Sequence, residues 1–216
     1  MSVRLTPLPA ADADIWLQPA VHTYVTAMNY PRGTEYNRLA LWREHLRRPG
    51  WTAIGAVTTV SAAELLRPAV RRLRVQAPWA PGERDVLVGV AYGYTGAADQ
   101  WWNQQLRTGM RLAGWTPEEA QAVISDYFEL TELHVHPLAQ GQGTGEALLR
   151  RLLTDRPESQ VLLSTPEVTG EANRAWTLYR RLGFGDVLRH FSFPGDPRPF
   201  AFLGRSLPLP PGSGTM

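Results

Sequence analysis

The stretch of sequence that decides the fold covers residues 127–149, YFELTELHVHPLAQGQGTGEALL. Its first part, Tyr127–His136, is rich in aromatic, aliphatic and β-branched residues and predicts a strand, which Pro137 ends. The apolar spacing of Gly143–Thr154 predicts an amphipathic helix. The chain therefore passes from a strand, through a glycine-rich turn, directly into a helix.

This glycine-rich turn has the properties of a phosphate-binding corner. Gly141, Gly143 and Gly145 free the backbone to approach a ligand closely. The first N–H groups of a helix have no partner within it, and the positive end of the helix dipole lies there, so an anion can bind without a basic side chain. Two other phosphate loops are excluded, because the chain has no lysine for a Walker A motif and Glu146 replaces the last glycine of G-x-G-x-x-G.

Two short motifs, one in this turn and one downstream, match a known pattern. Residues 140–145, QGQGTG, fit Q/R-x-x-G-x-G/A, and residues 173–184, NRAWTLYRRLGF, fit N-x-x-x-x-x-Y-x-x-L-G-F. On these residues the chain resembles the GNAT superfamily of acetyl-coenzyme A (acetyl-CoA) dependent N-acetyltransferases. The resemblance covers Tyr127–Phe184. It implies the GNAT fold, an α/β structure whose mixed, mostly antiparallel central sheet of about seven strands is flanked by helices.

The resemblance also assigns the residues that contact the co-substrate acetyl-CoA, and it implies no metal. The main chain of Leu133, His134 and Val135 is expected to pair with the pantetheine arm. Asn173 is expected to bind the same arm, and Tyr179 is expected to face the sulfur. The residues whose amides are expected to hold the pyrophosphate are Gln140, Gly141, Gln142, Gly143, Thr144 and Gly145.

The reaction that the resemblance implies is acetyl transfer to an amine. Because the chain contains no cysteine, an acyl-cysteine intermediate is excluded, and the amine attacks the thioester directly in a ternary complex. An alkyl ammonium has a pKa near ~10.4, so deprotonation at pH 7 costs about 4.6 kcal/mol and requires a base or a depressed pKa. Tyr179 can return a proton to the leaving thiolate. The N–H of Val135 can stabilise the developing oxyanion.

Two glutamates on the predicted strand are candidate catalytic bases. Glu129 lies where some family members carry a catalytic carboxylate, and it is the preferred candidate. Glu132 lies at a second position that is commonly acidic in the family, where the side chain could also bind substrate or be structural. Strand alternation places the two on opposite faces. Either could instead be a solvated or arginine-paired charge, and a water relay without a single base is a further interpretation.

Composition excludes several classes of site. The 216 residues contain no cysteine, so the chain has no disulfide and no thiolate metal site. All 22 basic residues are arginine, which excludes a Schiff base. His134 and His136 share a strand face but are too few to predict a metal site. The formal net charge of +2 does not indicate a nucleic-acid-binding protein.

The predicted organisation is one GNAT domain over residues 1–206, followed by a flexible proline- and glycine-rich tail over residues 207–216. Asp12–Asn29 predicts a helix that Pro19 kinks or splits, and Gly170–Leu182 predicts another helix. No apolar run approaches the ~20 residues that cross a bilayer, and the N-terminus has no apolar leader, so a cytoplasmic protein is expected. Such a protein could form a homodimer.

The acceptor is the least constrained part of the prediction. A small-molecule or peptide amine, including a protein N-terminus, is expected, with neither nucleic acid nor membrane as a partner. One alternative is a non-catalytic acyl-CoA-binding or sensing protein of the same fold. A second is a nucleic-acid-associated factor acting through its arginines, although a solvated helix face is the preferred interpretation of the arginine cluster. The cluster comprises Arg67, Arg71, Arg72 and Arg74. Side chains that either line the acceptor site or belong to the core are Tyr30, Glu35, Tyr36, Trp101 and Trp102.

Overall fold

A computed structural model of the chain describes residues 2–31 and 33–210. Across these residues the strands are β1 (Val3–Pro7), β2 (Thr52–Thr59), β3 (Asp85–Thr95), β4 (Tyr127–Val135), β5 (Gln160–Pro166), β6 (Gly185–Ser192) and β7 (Pro199–Ser206). The α-helices are α1 (Ala13–Ala27), α2 (Thr34–His45), α3 (Ala62–Leu65), α4 (Pro68–Arg71), α5 (Trp101–Leu112), α6 (Pro117–Ile124), α7 (Thr144–Leu153) and α8 (Arg174–Arg181). These seven strands form one sheet in the order β1-β2-β3-β4-β5-β7-β6. The predicted α/β class, with a mostly antiparallel sheet flanked by helices, is confirmed.

The chain divides into two compact units, and β4 contributes residues to both. The first unit comprises Met1–Tyr94 and Glu132–Leu152, and the second comprises Thr95–Thr131 and Leu153–Met216. Of the predicted tail, Leu207 donates its N–H to the carbonyl of Ser159 at 2.8 Å, and residues 211–216 lie outside the described residues. The single domain and the flexible tail therefore stay predictions.

The core of the first unit consists of aromatic and aliphatic side chains from α1, α2 and β3. Trp16 and Trp42 are both almost fully buried, and Tyr24 packs with them. β2 pairs antiparallel with β1 on one side and with β3 on the other. The hydroxyl of Thr23 on α1 donates to the carbonyl of Leu87 on β3 at 3.0 Å, which holds this helix against the sheet.

Of the two outcomes expected at Pro19, a kink or a split, helix α1 shows that the split was wrong. The helix runs without a break from Ala13 to Ala27 with Pro19 inside it. Proline removes one backbone hydrogen bond and clashes with the preceding turn. Pro19 and its neighbours Leu17 and Ala20 are buried, however, and the apolar surface that they bury offsets the lost bond.

The second unit has a separate core beneath β4, β5 and β7. Tyr127, Leu162 and Phe202 are buried together with Leu106 and Met110 of α5. β5 pairs antiparallel with β7, and β7 pairs antiparallel with β6. The segment between β3 and β4 forms α5 and α6, and α5 supplies much of this core.

The start of the helix predicted over Gly170–Leu182 was wrong. Gly170 and Glu171 have φ values of +61° and +54°, and such left-handed residues cannot continue a right-handed helix. Helix α8 begins only at Arg174, where the Oδ1 atom of Asn173 accepts a hydrogen bond from the N–H of Trp176 at 2.9 Å. Asn173 is therefore the N-cap of α8.

Mild acid is expected to destabilise the protein through His45. This residue is buried in the first unit, its Nδ1 lies 2.9 Å from the hydroxyl of Tyr92, and burial lowers its pKa to about 4. The unfolded chain, in which the pKa is near ~6.5, takes up the proton first as the pH falls, so the free energy of unfolding decreases between the two values. The free energy of unfolding measured with urea should be about 2 kcal/mol lower at pH 5 than at pH 7 because of His45.

His45→Gln provides the test of this assignment, because the amide can still hydrogen-bond Tyr92 but does not titrate. This variant should lose most of the difference in the free energy of unfolding between pH 7 and pH 5. A smaller slope should remain, because burial also lowers the pKa of His22 and His136. His190→Gln changes a histidine whose side chain is 79% exposed, and it is the control. An unaltered slope in His45→Gln would contradict the assignment.

Candidate active site

The glycine-rich turn after β4 presents an open backbone surface. Gly141 and Gly143 have φ values of +76° and +77°, a region that L side chains rarely adopt. A Cβ atom added to either glycine would meet no atom within 4 Å, so the backbone angle, not crowding, requires glycine. The hydroxyl of Thr144 donates to the carbonyl of Ala139 at 3.0 Å and fixes the start of α7. An anion can therefore reach the amides of this turn.

Gln140 helps to shape the turn from within. Its Nε2 donates to the carbonyl of Val135 at 2.8 Å, and its N–H donates to the carbonyl of Pro137 at 3.4 Å. The N–H of His136 donates to the carbonyl of Val88 on β3 at 2.8 Å. These bonds hold the end of β4 and the entry to the turn in one geometry.

Glu132 and His134 form a polar pair on one face of β4. Glu132 Oε2 lies 2.5 Å from His134 Nε2, and each side chain is 12% exposed. The indole N–H of Trp42 donates to Glu132 Oε1 at 3.2 Å. With Nε2 directed at the carboxylate, Nδ1 is the ring nitrogen that can accept a proton.

Aromatic side chains surround this pair. The ring of Tyr24 meets His134 edge-on, with centroids 4.7 Å apart, and packs on Trp42 at 5.8 Å. Burial raises the pKa of the Tyr24 phenol, and the negative charge of Glu132 adds to this effect against the opposing effect of Arg38. Tyr24 therefore stays protonated and uncharged, and the charge of Arg38, 5.2 Å from the centroid of its ring, lies on this side of the pair.

Glu129, the preferred candidate base, is deeply buried in the second unit. Its side chain is 2% exposed, and the hydroxyl of Thr131 donates to its Oε1 at 3.4 Å. The parallel ladder between β4 and β5 covers only three residue pairs and ends at Glu129↔Leu162, although β4 continues to Val135. The predicted pantetheine contacts Leu133, His134 and Val135 therefore lie on a segment outside this ladder.

Asn173 and Tyr179 both lie on or beside α8 in the second unit. The Oδ1 atom of Asn173 is engaged in the helix cap, which leaves the Nδ2 group of this exposed residue as the donor available to a ligand. Tyr179 is 7% exposed, and its ring centroid lies 5.5 Å from that of Phe184. Arg180 donates to both oxygens of Glu171, at 2.6 and 2.8 Å, and thereby ties α8 to the turn before it.

The aromatic candidates for acceptor contacts have different environments. Trp102 is partly buried and packs against the core of the second unit: its Nε1 donates to Ser164 Oγ at 2.9 Å and its ring packs on Phe202. Trp101 is 54% exposed and stacks on Phe193. In the first unit, Tyr36 is 75% exposed. The two adjacent tryptophans therefore differ, because Trp101 is largely exposed and Trp102 packs against the core of the second unit.

Trp42, Tyr24 and Arg38 belong to the Glu132 environment, and sequence reasoning did not single them out. They lie on α1 and α2, about a hundred residues before the strand that they contact, and an aromatic residue at helical spacing usually indicates core packing. Across the described residues no group of three or more His, Asp or Glu side chains could hold a metal. None of the helices described there is long and apolar enough to cross a membrane.

Comparison with known proteins identifies the family. A family model described as an acetyltransferase (GNAT) domain matches residues 93–185. The chain is 52% identical over 209 residues to the GCN5-like protein acetyltransferase Rv2170 of Mycobacterium tuberculosis, across 97% of this chain and 100% of the relative. This chain belongs to the GNAT acetyltransferases, and the resemblance on residues 140–145 and 173–184 is confirmed.

Solved structures confirm the fold independently. Arabidopsis thaliana NAA60 in complex with acetyl-CoA aligns with a TM-score of 0.55 at 15% identity, over 95% of this chain and 99% of that chain. The Salmonella typhimurium yncA structure with its cofactor acetyl-CoA aligns with a TM-score of 0.53 at 14% identity, over 100% of both chains. Both of these structural neighbours hold acetyl-CoA.

Gly143→Ala is expected to raise the KM for acetyl-CoA about ten-fold. Alanine at a left-handed position costs about 1–2 kcal/mol, and relief of that strain would change the direction of the amides in this glycine-rich turn. Gly114→Ala is the matched control, because Gly114 also has a positive φ, +84°, and open space where a Cβ would lie. Both variants should lose similar thermal stability, and only Gly143→Ala should change the KM. If Gly143→Ala and Gly114→Ala had the same KM for acetyl-CoA, the result would contradict a role of this turn in binding acetyl-CoA.

Proposed function

We propose that this chain transfers an acetyl group from acetyl-CoA to an amine by direct attack within a ternary complex. The observation that carries the proposal is the open, glycine-defined backbone at Gly141 and Gly143, placed at the start of α7. Family membership supports the same chemistry. The relative at 52% identity is named a protein acetyltransferase, which favours an amine on a polypeptide over a small-molecule amine.

The residues available to hold acetyl-CoA fit its parts. The amides of residues 140–145 offer donors to a pyrophosphate, the β4 segment outside the β5 ladder offers main-chain groups to a pantetheine amide, and Asn173 Nδ2 offers a further donor. When bound, acetyl-CoA supplies an activated thioester. The N–H of Val135 is the proposed donor to the oxygen of the reacting carbonyl.

The proton acceptor that the geometry favours is the Glu132–His134 pair. The amine must lose a proton to attack, and His134 Nδ1 can accept it while Glu132, 2.5 Å from Nε2, stabilises the resulting positive charge. Trp42 holds the second carboxylate oxygen. Glu129 remains the competing candidate, and its burial would place the proton in a nearly dry environment.

The remaining proton transfer is assigned to Tyr179. The new C–N bond forms as the C–S bond breaks, and the departing thiolate takes a proton from the Tyr179 hydroxyl, whose reference pKa near ~10 suits a thiolate of comparable basicity. The nitrogen of the new C–N bond releases its surplus proton to solvent, and the Tyr179 phenolate recovers a proton from solvent, so that a neutral amide and a free thiol leave. No acyl-cysteine intermediate can form, because the chain has no cysteine to carry the acetyl group.

Thiol release from acetyl-CoA, measured with a panel of amines, tests the proposal. The panel contains short peptides with a free N-terminus, blocked peptides with one lysine, a polyamine and an aryl amine. Turnover with at least one of them is expected. Tight binding of acetyl-CoA without turnover on any acceptor would overturn the proposal in favour of a coenzyme-sensing protein.

A further inference from the structure

The segment between β2 and β3 carries a basic surface that the acetyl-transfer chemistry does not use. Helices α3 and α4 and the residues that follow expose the side chains of Arg67, Arg71, Arg72 and Arg74. Leu66, beside them, is 82% exposed. We refer to these five residues as the arginine surface.

The fold presents the arginine surface in a fixed position. Val70, Leu73 and Val75 alternate with the arginines and are at most 5% exposed. The N–H of Val75 donates to the carbonyl of Asp85 at 3.1 Å, and the carbonyl of Leu73 accepts from the N–H of Leu87 at 2.8 Å. These hydrogen bonds and buried side chains hold the segment against β3. The arginine side chains, which alternate with the buried ones, therefore point to solvent.

The charges of the arginine surface have no ion-pair partner within the described residues, and this distinguishes them from many other arginines of the chain. Among the described residues, the arginines that form ion pairs with carboxylates include Arg4, Arg150, Arg156, Arg180, Arg189 and Arg198. The nearest acid in sequence, Glu64, accepts hydrogen bonds from the N–H and the hydroxyl of Ser61 at 2.8 and 2.7 Å. Its carboxylate is thus used by its own helix cap.

The arginine surface lies close to helix α1, which contacts the Glu132–His134 pair. Leu73, between Arg72 and Arg74, accepts a hydrogen bond from the N–H of Leu87 on β3 at 2.8 Å, and the carbonyl of Leu87 accepts one from the hydroxyl of Thr23 on α1 at 3.0 Å. The next residue of α1, Tyr24, meets the ring of His134 edge-on, with centroids 4.7 Å apart. A polypeptide lying on the arginine surface can therefore extend along α1 toward the Glu132–His134 pair.

We infer that the arginine surface docks an acidic segment of the polypeptide whose amine is acetylated, with Leu66 contacting an apolar residue of that segment. The inference rests on the proposed function and names the substrate class for it. An arginine guanidinium pairs bidentately with a carboxylate, so a segment rich in glutamate and aspartate is the polypeptide that these four arginines would bind best. A single-stranded nucleic acid is the less favoured occupant, because residues 61–75, SAAELLRPAVRRLRV, contain no aromatic side chain on which a base could stack.

Fluorescence anisotropy measures the binding of peptides without any turnover. The docking inference and the proposed acetyl transfer can therefore be tested separately. The probes are labelled peptides with blocked amines, one rich in glutamate with a single leucine and one in which glutamine replaces every glutamate. Wild type should bind the glutamate peptide at least ~10-fold more tightly at low salt, and the ratio should fall as salt screens the charges. Arg71→Glu/Arg72→Glu should abolish the preference. Arg111→Glu/Arg151→Glu, the same change of charge at other exposed arginines, should keep it.

Two results would overturn the inference. One is equal binding of the two peptides by wild type. The other is tight binding of a labelled oligonucleotide that Arg71→Glu/Arg72→Glu removes, without a preference for the acidic peptide. Acetylation of neutral peptides alongside either result would show that the proposed function holds although the docking inference fails. A preference for the acidic peptide without any turnover would support the docking surface and count against the proposed function.

Discussion

Tyr179→Phe is expected to lower kcat by about 10²-fold or more while the KM for acetyl-CoA changes little. The substitution removes only the hydroxyl, and the ring, which is 7% exposed and packs beside Phe184, keeps its place in α8. A group that donates a proton to the leaving thiolate acts in the transition state, so its loss appears in kcat and not in the binding of the ground state. Thiol release under saturating acetyl-CoA measures the effect.

Tyr127→Phe is the matched control for Tyr179→Phe. Tyr127 is another buried tyrosine of the second unit, and its hydroxyl accepts a hydrogen bond from Asn103 Nδ2 at 2.9 Å. Removal of the Tyr127 hydroxyl leaves Asn103 Nδ2 without this acceptor and should lower the free energy of unfolding by about 1–3 kcal/mol. The kcat of Tyr127→Phe should stay within about two-fold of wild type. If Tyr179→Phe kept wild-type kcat, or lost activity only in step with stability, Tyr179 would not be the proton donor.

The second large effect is expected at the Glu132–His134 pair. Glu132→Gln and His134→Gln should each reduce kcat/KM by about 10²-fold, because the amine then lacks an oriented proton acceptor. The double variant should lose little more than either single variant, because the two side chains act as one unit at 2.5 Å. The acidic limb of the pH–rate profile should flatten in all three variants, which loss of packing alone would not cause.

Glu129→Gln is the comparison that separates the two candidate bases. Because the side chain of Glu129 is buried, the substitution should change stability more than rate if the Glu132–His134 pair accepts the proton. A flattened pH–rate profile in Glu129→Gln, with normal profiles in Glu132→Gln and His134→Gln, would assign the base to Glu129. Normal profiles in all of them would favour a water relay.

The parts of the site that were predictable are those that local sequence determines. The strand of residues 127–135 and the helix from Thr144 follow from short-range patterns, and the glycines at 141 and 143 have the positive φ values that such a turn requires. The sheet class followed from the resemblance, since the same element order recurs in the family. The capping role of Asn173 is also local, although the helix began later than expected because Glu171 adopts a left-handed conformation.

The parts that were not predictable depend on residues distant in sequence. Nothing near Glu132 indicates that Trp42 donates to its carboxylate or that Tyr24 packs against His134. Strand alternation correctly placed Glu132 and His134 on one face, but their pairing at 2.5 Å depends on the aromatic wall that α1 and α2 supply. The effect of Pro19 was also not predictable from nearby residues, because its burial in the folded protein decides whether it interrupts the helix.

Titration calorimetry with acetyl-CoA tests the central claim most directly. Wild type should bind about one acetyl-CoA per chain, and Gly141→Val/Gly143→Val should abolish the heat of binding, because β-branched residues do not tolerate the left-handed backbone of this turn. Gly114→Val, with the same kind of backbone strain elsewhere, should bind as wild type does. Absence of any heat with wild type, or an unchanged affinity in the double valine variant, would contradict the account.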